Sequence, residues 1–389
     1  MVRIVGNYEQ TSTAGETVNA FVPAPLPPSS PPLAMDVELA ALLQRAEAAV
    51  ARVKLAGTMV PSFGWLPYSF ALKEAVVSSQ IEGTQATLVD LLVYEAAGKA
   101  DAVDDVDVMK VCNYVDALSY AREQMRNKNG LPLSMQLLNE AHLRLMKNVP
   151  GRDRRPGKIR RSQNWIGGTR PGNAVYVPPP PHLLGGLLGS LEEYMHAKDP
   201  LPPLARAGLL HVQFEMIHPY LDGNGRIGRL LITLLLEHWN LLDTPLLCLS
   251  LYFKRHLAEY YRRLNAVRTD GDFENWLKYF LEGVAVIADE TVATTQKLFS
   301  LTSADRGRVL LGRSTSVAGI RLFELLPAHP IITVAEAVKL LKTTKPTATK
   351  AVSGLVDAGI LVETTGRRRD RAYSYEAYLD PLRAGTEPA

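Results

Sequence analysis

Two long apolar stretches set the frame of this chain. From Leu204 to Ile217 and from Leu230 to Leu242, apolar residues occupy nearly every helical face, which predicts two buried helices. Between them lies a polar, glycine-rich turn, and Pro219 stops the first helix, so the second is expected to begin at Asn224 to Arg226. Upstream, Asp36 can cap a helix through Leu39, Leu42, Leu43, Ala46 and Val50. Another helix over about 69–83 stops at Gly83. Residues 85–150 read as three helices, broken at Gly98–Asp107 and Asn127–Pro132. Two β-prone runs, 157–168 and 174–180, flank a polar bend and predict an isolated hairpin with an open edge. Further helices follow over Ser250–Arg268 and Asp272–Glu290. In the C-terminal part, helices over Ser316–Leu326, Thr333–Leu341 and Lys345–Ala358 precede strands at Ile360–Glu363 and Ala372–Tyr375. Residues 1–35 are turn-rich and end in a proline run, so an extended, polyproline-like arm is expected there.

The turn between the two apolar helices concentrates chemistry: His218-Pro219-Tyr220-Leu221-Asp222-Gly223-Asn224-Gly225-Arg226-Ile227-Gly228-Arg229. A glycine-rich loop that opens a helix presents several backbone N–H groups in one direction and adds the positive end of the helix dipole. Arg226 and Arg229, three apart, leave one face of that helix. Asp222 offers the hard oxygen that Mg²⁺ takes when it also holds nucleotide phosphates. His218 is the group there that can take a proton near neutral pH. A Mg-nucleotide cradle with a general base at its rim follows, suited to transfer of a phosphorus-containing group to a hydroxyl. The bland alternative is a capped helix start with solvated arginines, and it leaves the convergence of His, Asp and two Arg within twelve positions unexplained.

These twelve residues closely resemble the signature of the Fic family, H-P-F-x-D-G-N-G-R-x-x-R, with Tyr220 where Phe is usual. That ring is expected to fill the same core space provided its hydroxyl finds a partner. The resemblance extends over residues 1–300. Ser78, Glu82 and Gly83 resemble the family's inhibitory helix, [S/T]-x-x-x-E-[G/N], and it implies that Glu82 pairs with Arg229 and blocks productive seating of the γ-phosphate. Residues 163–177 resemble the flap that holds a target's hydroxyl-bearing segment, which places Ile166, Gly167 and Gly168 near the nucleotide. Tyr260 and Tyr261 match positions beside the adenosine.

The fold expected is mainly α: an N-terminal arm and helical region (1–110), an orthogonal helical Fic core with a β-hairpin flap (111–300), and a winged helix (310–380). The implied activity is protein adenylyltransfer, with ATP as substrate and Mg²⁺ on Asp222. His218 would be the base, Gly223, Asn224 and Gly225 would bind phosphate through their amides, and Arg226 and Arg229 would neutralise charge. The partners implied are a target protein with a Tyr, Ser or Thr hydroxyl and, through the winged helix, DNA or a protein, a homodimer mate included. The alternative function is a DNA-binding regulator whose nucleotide site senses ATP, with the basic tip Arg367-Arg368-Arg369 on the DNA backbone.

Composition narrows the picture further. The chain has 389 residues, 47% hydrophobic and 21% charged, with a net charge of +3, too near neutral to argue nucleic-acid binding from the whole chain. Two cysteines, Cys112 and Cys248, cannot staple a chain this long and are expected as reduced thiols. No apolar run reaches membrane-spanning length and no leader pattern is present, so a cytoplasmic protein is expected. His142 and His211 have no partner at metal-ligand spacing and read as satisfied core histidines. The basic residues Arg152, Arg154, Arg155, Lys158, Arg160 and Arg161 read as a solvated run leading into the hairpin.

Overall fold

The computed structural model describes residues 3–58, 65–97, 105–149, 155–312, 316–366 and 371–388. Arg152, Arg154 and the basic tip Arg367–Arg369 lie outside the described residues. The fold is mainly α with two small antiparallel sheets, and the chain divides into two compact units.

The first unit takes Met1–Ala51, Asn113–Asp243 and Leu249–Ala288. It opens with a hairpin of β1 (Gly6–Thr13) and β2 (Glu16–Pro23), where the proline-rich pattern predicts only an extended arm. The turn is Ala14-Gly15, both at positive φ, the conformation that a two-residue hairpin matched to strand twist requires. What holds the hairpin is tertiary: Val18 and Ala20 of β2 pack with Val177 in a small apolar cluster. The proline run itself is pinned by Arg3, which donates to the Pro31 and Pro32 carbonyls and pairs with Glu274.

Helix α1 (Val37–Thr58) starts at Asp36, whose Oδ1 accepts the Leu39 N–H at 2.7 Å. Then follow α2 (Trp65–Ile81), α3 (Leu88–Ala97), α4 (Val106–Arg126) and α5 (Met135–Leu145), the last three where the polar breaks predict them. α6 (Leu184–His196) leads to α7 (Pro203–Ile217) and α8 (Asn224–His238), the two buried helices of the sequence pattern. The aromatic-rich segment after them splits into α9 (Ser250–Arg255) and α10 (Leu257–Asp270). α11 (Phe273–Leu311) runs well past the predicted end at Glu290. Its Trp276 is fully buried, and the indole N–H reaches the Gly208 carbonyl of α7 at 2.9 Å. That bond settles the one polar atom of the ring in an apolar site.

The second unit takes Arg52–Cys112, Thr244–Cys248 and Asp289–Ala389. α12 (Val317–Leu325) is capped by Ser316, and α13 (Val334–Leu341) by Thr333, whose hydroxyl accepts the Glu336 N–H at 3.2 Å. α14 (Lys345–Asp357) follows. The predicted strands appear as β4 (Val362–Glu363) and β5 (Ala372–Ser374), joined by β3 (Ile331–Thr333) in the order β3-β5-β4. A last helix, α15 (Glu376–Arg383), packs against α2. β3, three residues long, is too short to be read from the chain alone, and Pro381 inside α15 argues against a helix there in the sequence. Among the described residues no helix is long and apolar enough to cross a membrane.

Candidate functional site

The polar turn joins α7 to α8, and each of its bends has a local cause. α7 ends on His218 in the left-handed region (φ 49°, ψ 63°), with its N–H on the Phe214 carbonyl at 3.0 Å. α8 opens after Gly223 (φ 82°), a conformation that favours glycine. Space also matters at that position. A Cβ on Gly223 would stand 3.2 Å from both the Leu145 side chain and the Met146 sulfur. Between the bends, Asn224 closes the loop on itself: its Oδ1 accepts the Tyr220 N–H and its Nδ2 donates to the Tyr220 carbonyl, both at 2.8 Å. The Tyr220 ring is fully buried, and its hydroxyl donates to Asn139 Oδ1 at 2.9 Å. The partner that a tyrosine needs at this position is therefore present.

The floor of the turn is a histidine that the sequence reads as core. His142 of α5 accepts the Gly157 N–H on Nδ1, so the ring proton sits on Nε2, which donates to the Asp222 carbonyl at 2.9 Å. Burial pushes its pKa down to about 4, with the neighbouring Arg226 adding to the effect and the Asp222 carbonyl opposing it. The neutral ring is thus a fixed support. His211 behaves likewise one turn deeper. Its Nδ1 meets the Gly228 carbonyl at 2.9 Å and its Nε2 the Tyr260 hydroxyl at 2.8 Å, and burial lowers it to about 3.

Above this floor the charged groups assemble. Arg226 and Arg229 are both almost fully buried. The Arg226 guanidinium stands 3.5 Å from Asp222 Oδ1, and the same oxygen accepts the Gly223 N–H at 2.6 Å. The Asp222 side chain remains about one-third exposed, so part of the carboxylate faces outward. The N-cap position, Gly223, has no side chain to offer the first turn of α8, whose leading amides have no intrahelical acceptor. Two buried cations and the positive end of the helix dipole favour an anion at this end of α8. The Glu215 carboxylate of α7 packs against α8 at Gly228, where a Cβ would come 2.3 Å from Oε1. Glycine is the residue that lets these two helices approach there.

A single carboxylate, one-third exposed, fits Mg²⁺ of the kind that is held mainly by phosphate oxygens. Among the described residues no cluster of three or more His, Cys, Asp or Glu could build a metal cage.

The predicted flap is present but short. Ile166 and Tyr176 form one antiparallel bridge, with Ile166 N donating to the Tyr176 carbonyl at 2.8 Å. Gly167 and Gly168, at φ 67° and 72°, turn the chain away after it. One flank of this hairpin is not open: β2 reaches it through the Phe21 N–H on the Val177 carbonyl at 2.9 Å. Arg170 and the Gly172 N–H meet Glu16, a further tie to the N-terminal hairpin. Asn164 reaches the turn itself, donating to the Leu221 carbonyl at 3.5 Å.

His218, Asp222, Gly223, Asn224, Gly225, Arg226 and Arg229 thus share one turn and one helix start. Tyr260 is buried with its hydroxyl on His211, whereas Tyr261 stands half exposed. Ser78 and Glu82 belong to α2 and its end, in the second unit. Ser78 is fully buried, Glu82 is exposed, and Gly83 follows at φ 93°. His142 is the satisfied core histidine that the sequence predicts, while sequence reasoning missed Asn139 and above all Arg160, which it placed in a solvated basic run. Arg160 is 1% exposed and bonded to the His218 carbonyl. No local signal marks it: alternation along 155–159 would turn Ile159 inward instead, and the partners of Arg160 lie on distant segments.

Comparison with known proteins finds likenesses in sequence and in fold. The model of the Fic/DOC family N-terminal region matches residues 40–123, and that of the Fic/DOC family matches residues 132–236. A protein adenylyltransferase Fic of Aedes aegypti is 30% identical over 168 residues, covering 43% of this chain and 30% of that protein. One of Nematostella vectensis is 26% identical over 240 residues, covering 60% of this chain and 52% of its own length. The chain therefore spans about half or less of these curated relatives. Among solved structures, a Fic family protein from Desulfovibrio desulfuricans G20 superposes with a TM-score of 0.58 at 20% identity, over 89% of this chain and 98% of that one. Fic-1 (residues 134–508) from C. elegans gives 0.51 at 18%, over 66% and 74%. Both likenesses concern the fold.

Proposed function

The chain is a Fic/DOC family protein distantly related to the Fic protein adenylyltransferases, and from that premise we propose that it transfers AMP from ATP to a hydroxyl side chain of a protein target. The observation that carries the reading is the convergence of His218, one-third-exposed Asp222 and buried Arg226 and Arg229 on the start of α8. Family members are typically nucleotidyltransferases and generally use ATP with Mg²⁺.

In this reading Asp222 would hold Mg²⁺, and the ion, when bound, would offset the charge of the phosphates. The first-turn amides of α8, at Asn224 and Gly225, bind the phosphate being transferred and its neighbour. Arg226 and Arg229 neutralise the β- and γ-phosphates. The target hydroxyl oxygen attacks the α-phosphorus, its proton passes to the His218 imidazole, and the bond to pyrophosphate breaks. Backbone from the target would lie along the flap at 163–177. Glu82 restrains the reaction by competing for Arg229, a role supported by the Ser78–Gly83 motif.

The test is direct. Full-length protein with Mg²⁺ and ATP labelled at the α-phosphate should label itself or a lysate protein, and His218→Ala should abolish labelling at unchanged fold. Transfer of label from the γ- but not the α-phosphate would overturn adenylyltransfer in favour of phosphotransfer.

A further inference from the structure

We propose that Arg160 is a positioning residue for His218, acting through the main chain of the turn rather than on substrate; this deepens the transferase reading above. Arg160 is 1% exposed, the most deeply buried arginine of the chain's described residues. Its Nε donates to the His218 carbonyl at 2.9 Å, and its own backbone N–H donates to the Pro219 carbonyl at 2.9 Å. One residue thus holds two consecutive peptide units of the turn. The same guanidinium reaches the Ser162 carbonyl at 3.3 Å and the Pro179 carbonyl at 2.5 Å. Ser162 and Pro179 flank the Ile166–Tyr176 bridge, so Arg160 ties the turn to both roots of the flap.

The turn needs such a clamp for two reasons. His218 lies at φ 49°, a region unfavourable for a residue with a Cβ, and it stays there only if its neighbours over-determine it. Pro219 has no N–H and cannot anchor the segment itself. The partners of the guanidinium are main-chain carbonyls throughout, with no carboxylate among the described residues. A carboxylate would serve a merely structural arginine better; carbonyls at the C-terminus of α7 are what a fixed cation can orient. Burial lowers the guanidinium to about 10, which leaves it charged at neutral pH.

The experiment compares full-length Arg160→Met and Arg160→Lys with the parent. Three quantities are read: thermal unfolding, kcat and KM for ATP in AMP transfer, and the His218 ring resonances in an NMR pH titration, assigned by their loss in His218→Ala. Arg160→Met should lower kcat by about tenfold or more with KM for ATP within about threefold, the pattern of lost transition-state alignment. Its His218 resonances should shift. Arg160→Lys, which keeps the charge but offers fewer aligned donors, should recover part of both and carries the test if the methionine variant does not fold. Folded variants with parental kcat and unmoved His218 signals would overturn the proposal. So would losses that merely track the unfolded fraction. Should the parent transfer no AMP, the transferase reading fails, and the His218 resonances still decide the role of Arg160.

Discussion

The imidazole of His142 lies flat on the ring of Tyr220, centroids 3.8 Å apart and planes 6° from parallel. The stack joins α5 to the middle of the turn, while the two ring nitrogens bind the Gly157 N–H and the Asp222 carbonyl. This support works only with a neutral ring, because a protonated Nδ1 would turn its hydrogen toward the Gly157 N–H.

A pH dependence follows. The pKa of His142 in the fold, about 4, lies below its ordinary value of 6.5, so the unfolded chain binds the proton first. The stability it contributes is complete above pH 6.5 and is lost as pH falls toward 4, by up to about 3 kcal/mol. His211 acts in the same direction, down to about 3. Unfolding free energy measured by denaturant from pH 7.5 to 4 should fall, and His142→Gln should fall less steeply. Parallel curves for parent and variant would refute the linkage.

Gly223→Ala should damage the site more than the fold. Placing alanine in the left-handed region costs about 1–2 kcal/mol, and its Cβ would press on Leu145 and Met146. The start of α8 must then shift, and AMP transfer should drop by roughly tenfold or more. Single-turnover kinetics beside a melting curve separate the two effects; undiminished transfer would show that the amides of this turn do not bind the reacting phosphate.

Glu82→Gly tests restraint of the proposed activity. Removing the carboxylate proposed to compete for Arg229 should raise transfer by roughly tenfold or more, since ~1.4 kcal/mol is a decade in rate. Arg229→Ala should not imitate it, because the same side chain serves the γ-phosphate. A folded, ATP-binding Glu82→Gly protein no faster than the parent would leave Glu82 as a helix-end residue only.

The C-terminal helix should prove integral to the second unit. In α15, Tyr378, Leu379 and Leu382 are buried, Tyr378 reaches Ser69 of α2, and the Thr386 carbonyl beyond the helix accepts Gln80 of α2 at 2.7 Å. Tyr378→Ala should cost about 3 kcal/mol or more, read by urea unfolding. A loss below about 0.5 kcal/mol, the range of a surface substitution, would mean that α15 is dispensable.

The chain by itself determined the two buried helices, the turn between them and the clustering of His218, Asp222, Arg226 and Arg229. Those features are local: helix period, a proline stop and a glycine run act within about one turn of their own positions. The order of the C-terminal helices and strands was legible for the same reason, and in the structure Ser316 and Thr333 cap two of those helices. Only the tertiary structure decided that residues 6–23 pair as a hairpin, because the packing that holds β2 comes from Val177, more than 150 residues on. It likewise decided the roles of His142 and Arg160. A histidine on an apolar helix and an arginine in a basic run look the same in sequence whether they face solvent, core or site. Which carbonyl each one meets is set by segments far along the chain, and that contact alone turns a core histidine and a surface cation into the supports of one turn.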